Sequence, residues 1–290
     1  MTAALWVLCL LYMLIALRWL IGAVQVGRAP LDAMRLPARP DRPSDPADPK
    51  LSVLIAAHNE GDHIEDCILR LCAQNFPLHE IIVVNDRSHD TTGEVVAQLA
   101  RNDRRIVPVE IRELPDGWIG KSHALSVGAA SATGDYLLFI DSDVFLRPGA
   151  IAAVMDKAAR DRIDFLTLWP RLGLRSPADR IMVPAAGWLL TFWSLLGGGA
   201  AAQSHEATMG NGQFLLVRRE AYGRIGGHEA VRAELAEDAM LAENARRAGL
   251  RSWVGLGAGL YVASRNSTFT RCANGLARVL IGSLCSPWKL

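Results

Sequence analysis

The sequence has 290 residues, of which 50% are apolar and 21% are charged. Its mean hydropathy is positive, which excludes a disordered chain and favours some contact with a membrane. Thirty-one basic and thirty acidic residues leave a net charge of +1, so the overall charge gives no support to a nucleic-acid partner. The five cysteines include no C-x-x-C pair, which argues against a disulfide framework and against a zinc knuckle.

The N-terminus carries an apolar run over residues 3–26, interrupted only by Arg18 and Gln25. About 20 such residues span a bilayer as a helix, so we predict a transmembrane membrane anchor over 1–28. The alternative is a cleaved signal peptide, but the run has no basic segment before it and no clear cleavage site after it. Several arginines follow the run, which by the positive-inside rule puts the catalytic body on the cytoplasmic side of the inner membrane.

Two further segments bear on the membrane question. The run 181–202 has no charge and could span the bilayer, lie at its surface or form a buried core helix. The C-terminal segment 261–290 becomes apolar over 275–290, which fits either the start of a membrane helix or an incomplete chain. Residues 29–50 are rich in proline and predict a linker, so the body is expected over 51–260.

The body alternates short apolar strands with amphipathic helices. Strands are predicted over 51–56, 81–84, 106–111 and 136–140, and helices over 93–99 and 123–130. An additional helix is indicated by apolar residues at 64, 67, 68 and 71. This alternation predicts a doubly wound α/β fold, in which ligands bind beyond the carboxyl ends of the strands.

Polar clusters follow three of these strands, at 58–60, 85–90 and 141–143. Residues i and i+2 of an extended chain point to one side, so Asp141 and Asp143 could reach one cation. Two close carboxylates repel each other unless a proton or a metal lies between them. Mg²⁺ and Mn²⁺ prefer oxygen ligands and often share them with phosphates, so the pattern predicts a metal–diphosphate site.

Two other patterns carry chemistry. The stretch 114–121, which reads L-P-D-G-W-I-G-K, places Lys121 near a predicted helix start and suits an anionic ligand, although its spacing is not that of a Walker loop. Glu237 and Asp238 begin a predicted helix in the second half of the chain. Acidic residues are also favoured at a helix N-terminus for electrostatic reasons alone, so the pattern leaves both explanations open.

From Leu51 to about Gly249, these motifs together resemble family 2 glycosyltransferases of the GT-A fold, which have a Rossmann-like mixed sheet flanked by helices. The N-E step matches Asn59-Glu60, and the D-D-x-S-x-D-x-T stretch matches 85–92. The D-x-D motif matches 141–143, and the E-D pair matches 237–238. The segments W-x-G-K, G-N-G-Q (210–213) and G-G-H (226–228) resemble the membrane subgroup that acts on hopanoid- or carotenoid-type lipids.

The resemblance implies roles for individual residues. Asp86 would bind the uracil ring, and Glu60 would line the nucleoside pocket. Asp141 and Asp143 would hold the ribose and a Mg²⁺ or Mn²⁺ ion that bridges the diphosphate. A second positive charge there would come from Lys121. The general base that deprotonates the acceptor hydroxyl would be Asp238, with inversion at the anomeric carbon.

The expected function is therefore transfer of a single hexose from a nucleotide diphosphate donor, with a UDP-sugar expected, to a lipid or membrane-embedded hydroxyl. Two features depart from the family pattern: Asn85 replaces the first aspartate, and no Q-x-x-R-W box follows the E-D pair, which argues against processive synthesis. The alternatives are a polyprenyl-phosphate sugar transferase and a membrane-tethered nucleotide-binding protein without turnover. A nucleotidyltransferase would need a glycine-rich basic loop after the first strand.

Overall fold

The computed structural model describes residues 34–39, 48–169, 171–173 and 210–264, together with isolated positions among residues 6–20, 41, 45 and 180. Ten strands, six α-helices and one 3₁₀ helix make up the described body. They lie in the chain order β1 Leu51–Ala57, α1 Ile64–Cys72, β2 Leu78–Asp86, α2 Thr92–Asn102, β3 Ile106–Ile111, α3 Gly120–Ser131, β4 Tyr136–Asp141, β5 Val144–Leu146, α4 Ala150–Asp161, β6 Phe165–Trp169, β7 Arg171–Gly173, β8 Phe214–Arg218, α5 Arg219–Arg224, the 3₁₀ helix Gly227–Val231, α6 Glu237–Arg247, β9 Ser252–Leu256 and β10 Tyr261–Ser264.

Seven strands form the main sheet, in the order β3-β2-β1-β4-β8-β6-β9. The first four are parallel, as the strand–helix alternation predicts. Strand β8 is antiparallel to both of its neighbours, which makes the sheet mixed and confirms the GT-A-like architecture. The predicted helices lie close to their expected positions, although α3 begins at Gly120, three residues before the expected start.

The sheet is covered on both faces, and the strand sequences show why. Along β1, Val53 and Ile55 pack on one face while Leu54 packs on the other, because successive side chains of a strand alternate. Helix α1 buries Ile64, Cys67, Ile68 and Leu71, which are the four apolar positions that its sequence spacing predicts. Each face therefore has its own apolar layer.

The strand order reverses between β1 and β4, since β2 and β3 lie to one side of β1 and β4 lies to the other. In doubly wound sheets such a reversal opens a crevice beyond the carboxyl ends of the strands. A small second sheet, in the order β5-β10-β7, adjoins the segment that follows β4. Strand β10 thus belongs to the body, although the sequence placed residues 261–264 in a separate C-terminal segment.

The proline-rich stretch differs from the predicted linker over part of its length. Arg35 forms an isolated parallel bridge with Leu256 at the edge of the main sheet. The Arg39 amide donates to the Gly149 carbonyl, and Leu36 packs against the core. Residues 34–39 are therefore attached to the body, because an edge strand offers backbone partners that a local composition pattern does not reveal.

None of the helices that the structure describes combines the length and the apolar character needed to cross a bilayer. The predicted transmembrane helix of the anchor over 1–28 lies mostly outside the described residues, as do the segments 181–202 and 275–290.

Candidate active site

The polar clusters meet at the reversal of strand order. Ala57 of β1 pairs with Asn85 of β2, and Ala56 pairs with Asp141 of β4. Adjacent strands lie about 4.8 Å apart, so Asn85 and Asp141 flank the end of β1 at a separation of roughly 10 Å. The residues that follow these strands therefore surround one crevice.

Lys121 connects motifs that are far apart in the chain. Its Nζ lies 2.8 Å from Asp141 Oδ1 and 3.2 Å from Glu237 Oε1. Burial lowers the pKa of Lys121, but the charges of Asp141 and Glu237 outweigh burial and raise that pKa. The start of α3 is positioned by a backbone bond from the Ile119 amide to the Arg232 carbonyl. A permanently charged ammonium group thus links the D-x-D turn to the E-D pair.

Asp238 is held by backbone donors at the start of α6. The Gly212 amide donates to its Oδ2 at 2.7 Å, and the Ala239 amide donates to its Oδ1 at 2.8 Å. Burial, followed by the neighbouring charge of Glu237, raises the pKa of Asp238 despite these donors and despite Lys121. A carboxylate with a raised pKa and a fixed orientation is suited to accept a proton.

Glycines explain why the segment 210–213 can approach α6 so closely. A Cβ on Gly210 would lie 2.0 Å from the Asp238 carbonyl oxygen, and one on Gly212 would lie 3.0 Å from Lys121 Nζ. Asn211 ties the same segment to β6, since its side-chain amide donates to the Leu168 carbonyl at 2.7 Å. The G-N-G-Q motif therefore has a structural function, which is to place the Gly212 amide beside Asp238.

Asp86 lies at the end of β2 and is almost fully buried. Its carboxylate receives two bonds from Arg87, at 2.7 Å from Nε and 2.9 Å from Nη2. A Cβ on Gly120 would lie 2.8 Å from both Arg87 Nη2 and Asp86 Oδ2, so the first residue of α3 packs directly on this pair. A nucleobase that binds to Asp86 must share the Asp86 carboxylate with the Arg87 guanidinium.

Asn85, which replaces an aspartate of the family pattern, faces a carboxylate. Its amide nitrogen lies 3.1 and 3.0 Å from the two carboxylate oxygens of Glu110. An aspartate at position 85 would set two negative charges against each other. The substitution is therefore compatible with its surroundings, because an amide supplies the hydrogens that Glu110 accepts.

Glu60 lies beside the D-x-D turn. The Ser142 hydroxyl bonds to the Glu60 side chain, and burial raises the pKa of Glu60. The loop that carries Glu60 is tied to the loop after β2, because Asn59 accepts from the His89 amide at 2.8 Å. The polar segments that follow β1, β2 and β4 thus form one connected rim.

The two aspartates of the D-x-D motif are arranged differently from the prediction. Strand β4 ends at Asp141, and Ser142 and Asp143 form a turn before β5, so strand alternation does not align the two carboxylates. Within the described ranges, no group of three or more His, Cys, Asp and Glu side chains is placed to hold a metal. Two carboxylates nevertheless fit Mg²⁺ or Mn²⁺, which commonly take one or two protein carboxylates and complete their shell with phosphate oxygens and water.

His228 of the G-G-H motif is a core residue. It is 2% exposed, its ring packs edge-on against Phe139, and its Nδ1 lies 2.8 Å from the Tyr222 hydroxyl. That hydroxyl also accepts from the His228 amide. Burial, together with the charge of Lys121, lowers the pKa of His228 to about 3. The imidazole is therefore neutral at physiological pH and stabilises the layer behind β4.

The structure brings Lys121, Asp141 and Asp238 into one charged cluster, and it places Asp86 and Glu60 on the adjoining rim. Two residues to which the sequence assigned no role have direct contacts with the predicted site. Glu237 forms an ion pair with Lys121, and Arg87 forms an ion pair with the carboxylate of Asp86. The E-D pair itself signalled Glu237, whereas nothing in the local sequence distinguished Arg87 from a solvated turn residue.

Comparison with known proteins gives a family match. Residues 52–226 match the family model described as "Glycosyl transferase family 2". A poly-β-1,6-N-acetyl-D-glucosamine synthase of Staphylococcus aureus is 27% identical over 214 residues, which cover 72% of this chain and 48% of that protein. The uncharacterized glycosyltransferase YibD of Escherichia coli is 34% identical over 115 residues, covering 40% of this chain and 32% of that protein. The matches thus span less than half the length of these relatives.

Solved structures share the fold. The mannosyltransferase PcManGT from Pyrobaculum calidifontis, in complex with GDP-Man and Mn²⁺, superposes with a TM-score of 0.61 at 20% identity, covering 97% of this chain and 72% of that one. Glucosyl-3-phosphoglycerate synthase from Mycobacterium tuberculosis superposes with a TM-score of 0.57 at 20% identity, covering 82% of this chain and 80% of that one. TarS of S. aureus in complex with UDP gives 0.54 at 18% identity, covering 82% and 66%.

Proposed function

This chain belongs to glycosyl transferase family 2, and on that basis we propose that it is an inverting, metal-dependent glycosyltransferase. It transfers a single sugar from a nucleotide diphosphate donor to a hydroxyl group. We propose a UDP-sugar as the donor, since TarS is described in complex with UDP and with UDP-GlcNAc. Because the mannosyltransferase PcManGT is a complex with GDP-Man, GDP is the nucleotide to compare with UDP.

The observation that carries this proposal is the bridge through Lys121. Asp141 and Glu237 are distant in sequence, yet both contact the same ammonium nitrogen. Asp238 is adjacent to Glu237 and is held by two backbone amides. A donor diphosphate near Asp141 and Lys121 would therefore have its anomeric carbon close to a carboxylate that can accept a proton.

The proposed reaction is a single displacement. The acceptor oxygen forms a bond to the anomeric carbon while the bond from that carbon to the diphosphate oxygen breaks. The hydroxyl proton passes to the Asp238 carboxylate, and the electron pair of the broken bond leaves with the nucleoside diphosphate. Lys121 offsets part of the negative charge that develops on the leaving group. Attack from the face opposite the leaving group inverts the anomeric configuration.

Asp141 and Asp143 are the residues that would hold Mg²⁺ or Mn²⁺. The ion, when bound, would neutralise charge on the diphosphate. Two structural neighbours are complexes with Mn²⁺, which supports a divalent ion without choosing between Mg²⁺ and Mn²⁺. Removal of the ion with a chelator is expected to abolish transfer, and readdition of Mn²⁺ or Mg²⁺ is expected to restore it.

We propose a lipid or membrane-embedded acceptor. The support is the apolar run 3–26, which predicts an anchor, and the likeness of the W-x-G-K, G-N-G-Q and G-G-H segments to enzymes that act on hopanoid- or carotenoid-type lipids. The enzyme would then work at the cytoplasmic face of the inner membrane. Transfer of labelled sugar into an organic-extractable product by full-length protein in vesicles tests this part. Equal transfer to a soluble hydroxyl acceptor would contradict it.

The donor assignment is tested by calorimetric titration of UDP and of GDP into the protein, with and without Mn²⁺. We expect UDP binding that requires Mn²⁺ and that Asp143→Asn weakens about tenfold or more, because a charged metal ligand is removed. The matched control is Glu220→Gln, which removes an exposed carboxylate from α5, after the antiparallel strand β8 and so at the opposite end of the sheet. Equal UDP affinity in Asp143→Asn and in the control would refute the metal site. A preference for GDP would refute the UDP assignment alone.

A further inference from the structure

Arg87 forms a close pair with Asp86, the residue assigned to the nucleobase. Its guanidinium meets the Asp86 carboxylate side-on, since Nε lies 2.7 Å from Oδ1 and Nη2 lies 2.9 Å from Oδ2. The Arg87 side chain is 31% exposed and the Asp86 side chain only 5%, so the guanidinium is the more accessible half of the pair. Arg87 is therefore placed to determine which donors Asp86 can accept.

The main chain fixes this pair in position. Arg87 has a φ of 53°, in the left-handed region that glycine adopts freely and that other residues adopt at a cost. Its amide donates to the Ile111 carbonyl at 3.1 Å, and His58 Nδ1 lies 2.5 Å from the Asp86 carbonyl oxygen. An arginine at a position that favours glycine points to a function for its side chain.

The pair also adjoins the proposed diphosphate site. Gly120 packs directly on it, because a Cβ at Gly120 would lie 2.8 Å from both Arg87 Nη2 and Asp86 Oδ2. Consecutive Cα atoms are about 3.8 Å apart, so Lys121 starts beside the pair. The Lys121 ammonium then reaches Asp141 at 2.8 Å. A nucleotide with its diphosphate near Lys121 would therefore have its base near Arg87 and Asp86.

The geometry of a carboxylate makes this pairing selective. A carboxylate has about four lone-pair sites, and two of them face the same side, where they accept two neighbouring N–H groups at once. Arg87 uses those two sites of Asp86. The remaining sites point away from each other, so they cannot both accept from one base. Guanine presents two neighbouring donors, N1–H and the 2-amino group, whereas uracil presents a single N3–H between two carbonyl oxygens.

We propose that Arg87 is a specificity-determining residue that admits uracil and excludes guanine. Uracil N3–H donates to a remaining lone pair of Asp86. A uracil carbonyl oxygen accepts from Arg87, which has five N–H groups and uses two of them on Asp86. Guanine would leave one donor without an acceptor, which is costly in a buried site. This inference rests on the proposed function, since it assumes that Asp86 binds the base of the donor.

The test is calorimetric titration of UDP, GDP and inosine 5′-diphosphate into the 290-residue chain in the presence of Mn²⁺. Inosine 5′-diphosphate has a purine base like that of GDP but lacks the 2-amino group, so it separates the number of donors from the size of the base. The variant is Arg87→Lys, which keeps the positive charge but cannot donate side-on from two nitrogens. A second variant, Arg87→Gly, removes the side chain and suits the left-handed backbone.

Arg105→Lys is the matched control. Arg105 pairs side-on with Asp103 in the same way, with Nε 3.0 Å from Oδ1 and Nη2 2.6 Å from Oδ2. Arg105 precedes β3 whereas Arg87 follows β2, so the two pairs lie at opposite ends of these parallel strands. Thermal unfolding of each protein checks that it is folded.

We expect the wild type to bind inosine 5′-diphosphate about tenfold or more tightly than GDP, because one extra unpaired donor distinguishes the two bases. Both Arg87 variants should lose this preference through a gain in GDP affinity, since the two lone-pair sites of Asp86 that face the same side become available. Arg105→Lys should keep the wild-type ratio.

Three results would overturn the inference. The first is wild-type affinity for inosine 5′-diphosphate no greater than for GDP, since purine size would then govern the choice. The second is an unchanged ratio in both Arg87 variants, and the third is an equal change in Arg105→Lys. Mn²⁺-dependent UDP binding would in each case leave the proposed function intact. Absence of binding of all three nucleotides would instead refute the donor assignment, and the inference with it.

Discussion

The proposed chemistry of this protein depends on opposing effects on the pKa of individual carboxylates. Asp238 is the clearest case, because burial and Glu237 oppose its ionisation while Lys121 and two amides favour it. Such opposing effects are typical of groups that exchange protons during a reaction. They also make the behaviour of this residue sensitive to single substitutions around it.

Replacement of the proposed base should separate binding from turnover. We expect Asp238→Asn to lower kcat by a factor of about 10² to 10⁴, since positioned proton transfer contributes rate enhancements of that order. UDP affinity should change by less than about twofold, because Asp238 is not assigned to the donor. Steady-state rates and calorimetry measure the two effects. An unchanged kcat would exclude Asp238 as the base.

The pH dependence of the reaction should follow the raised pKa of Asp238. The base must be ionised to accept a proton, so kcat should fall as the pH is lowered through that pKa, at a higher pH than for an ordinary aspartate. Glu237→Gln removes a negative charge that raises this pKa. We therefore expect the acid limb of the kcat–pH profile to move to lower pH in Glu237→Gln. A shift in the opposite direction would contradict the assignment.

A third residue-scale prediction concerns Asn85. Asn85→Asp should destabilise the protein by about 1–2 kcal/mol at pH 7, because a donor to the Glu110 carboxylate is replaced by a second carboxylate. Glu110→Gln in the same chain should recover most of the loss. Denaturant unfolding of the two single variants and the double variant measures this coupling. If the stability changes of the two single variants simply added in the double variant, the two side chains would not interact.

At the scale of elements, the close packing of residues 210–213 on α6 fixes the position of Asp238, the proposed general base. Gly210→Ala should cost about 2 kcal/mol or more and reduce kcat, since its Cβ would lie 2.0 Å from a backbone oxygen that can move only with the helix. The control is Gly223→Ala in α5, where a Cβ meets no atom within 4 Å. Alanine is the better helix former, so Gly223→Ala should be neutral or stabilising by up to about 1 kcal/mol.

These two variants are compared by thermal unfolding and by steady-state rates. Equal stability of Gly210→Ala and Gly223→Ala would show that the segment before β8 does not pack on α6 as described. A loss of activity in Gly210→Ala without a loss of stability would instead indicate that α6 moves and carries Asp238 with it.

At the scale of the whole molecule, the docked segment 34–39 makes the body larger than its sequence suggests. Leu36 is partly buried and packs against the core, so Leu36→Ala should cost about 1 kcal/mol, below the range for a fully buried leucine. Leu235 is 46% exposed, and Leu235→Ala should change stability by less than about 0.5 kcal/mol. The denaturant midpoints of Leu36→Ala and Leu235→Ala measure the two effects. An equal effect would mean that residues 34–39 contribute nothing to the fold.

Much of the architecture follows from local pattern. The four parallel strands and the apolar face of α1 are set by periodicity, because burial on a sheet or helix face imposes a fixed spacing on apolar residues. The order of the motifs, from Asn59-Glu60 to Glu237-Asp238, was sufficient for the family. Each strand, helix face and motif is a short run of neighbouring residues, so the sequence alone determined these features.

The contacts that make the site were decided by the tertiary structure. The antiparallel insertion of β8, the bridge from Asp141 through Lys121 to Glu237, and the pairing of Asn85 with Glu110 all join residues that are distant in the sequence. Lys121 is 20 positions from Asp141 and 116 from Glu237, and Asn85 is 25 positions from Glu110. The turn at Ser142 and Asp143 replaced an expected extended pair, because β4 ends at Asp141. Long-range contacts of this kind depend on how the layers pack, and no local periodicity encodes that packing.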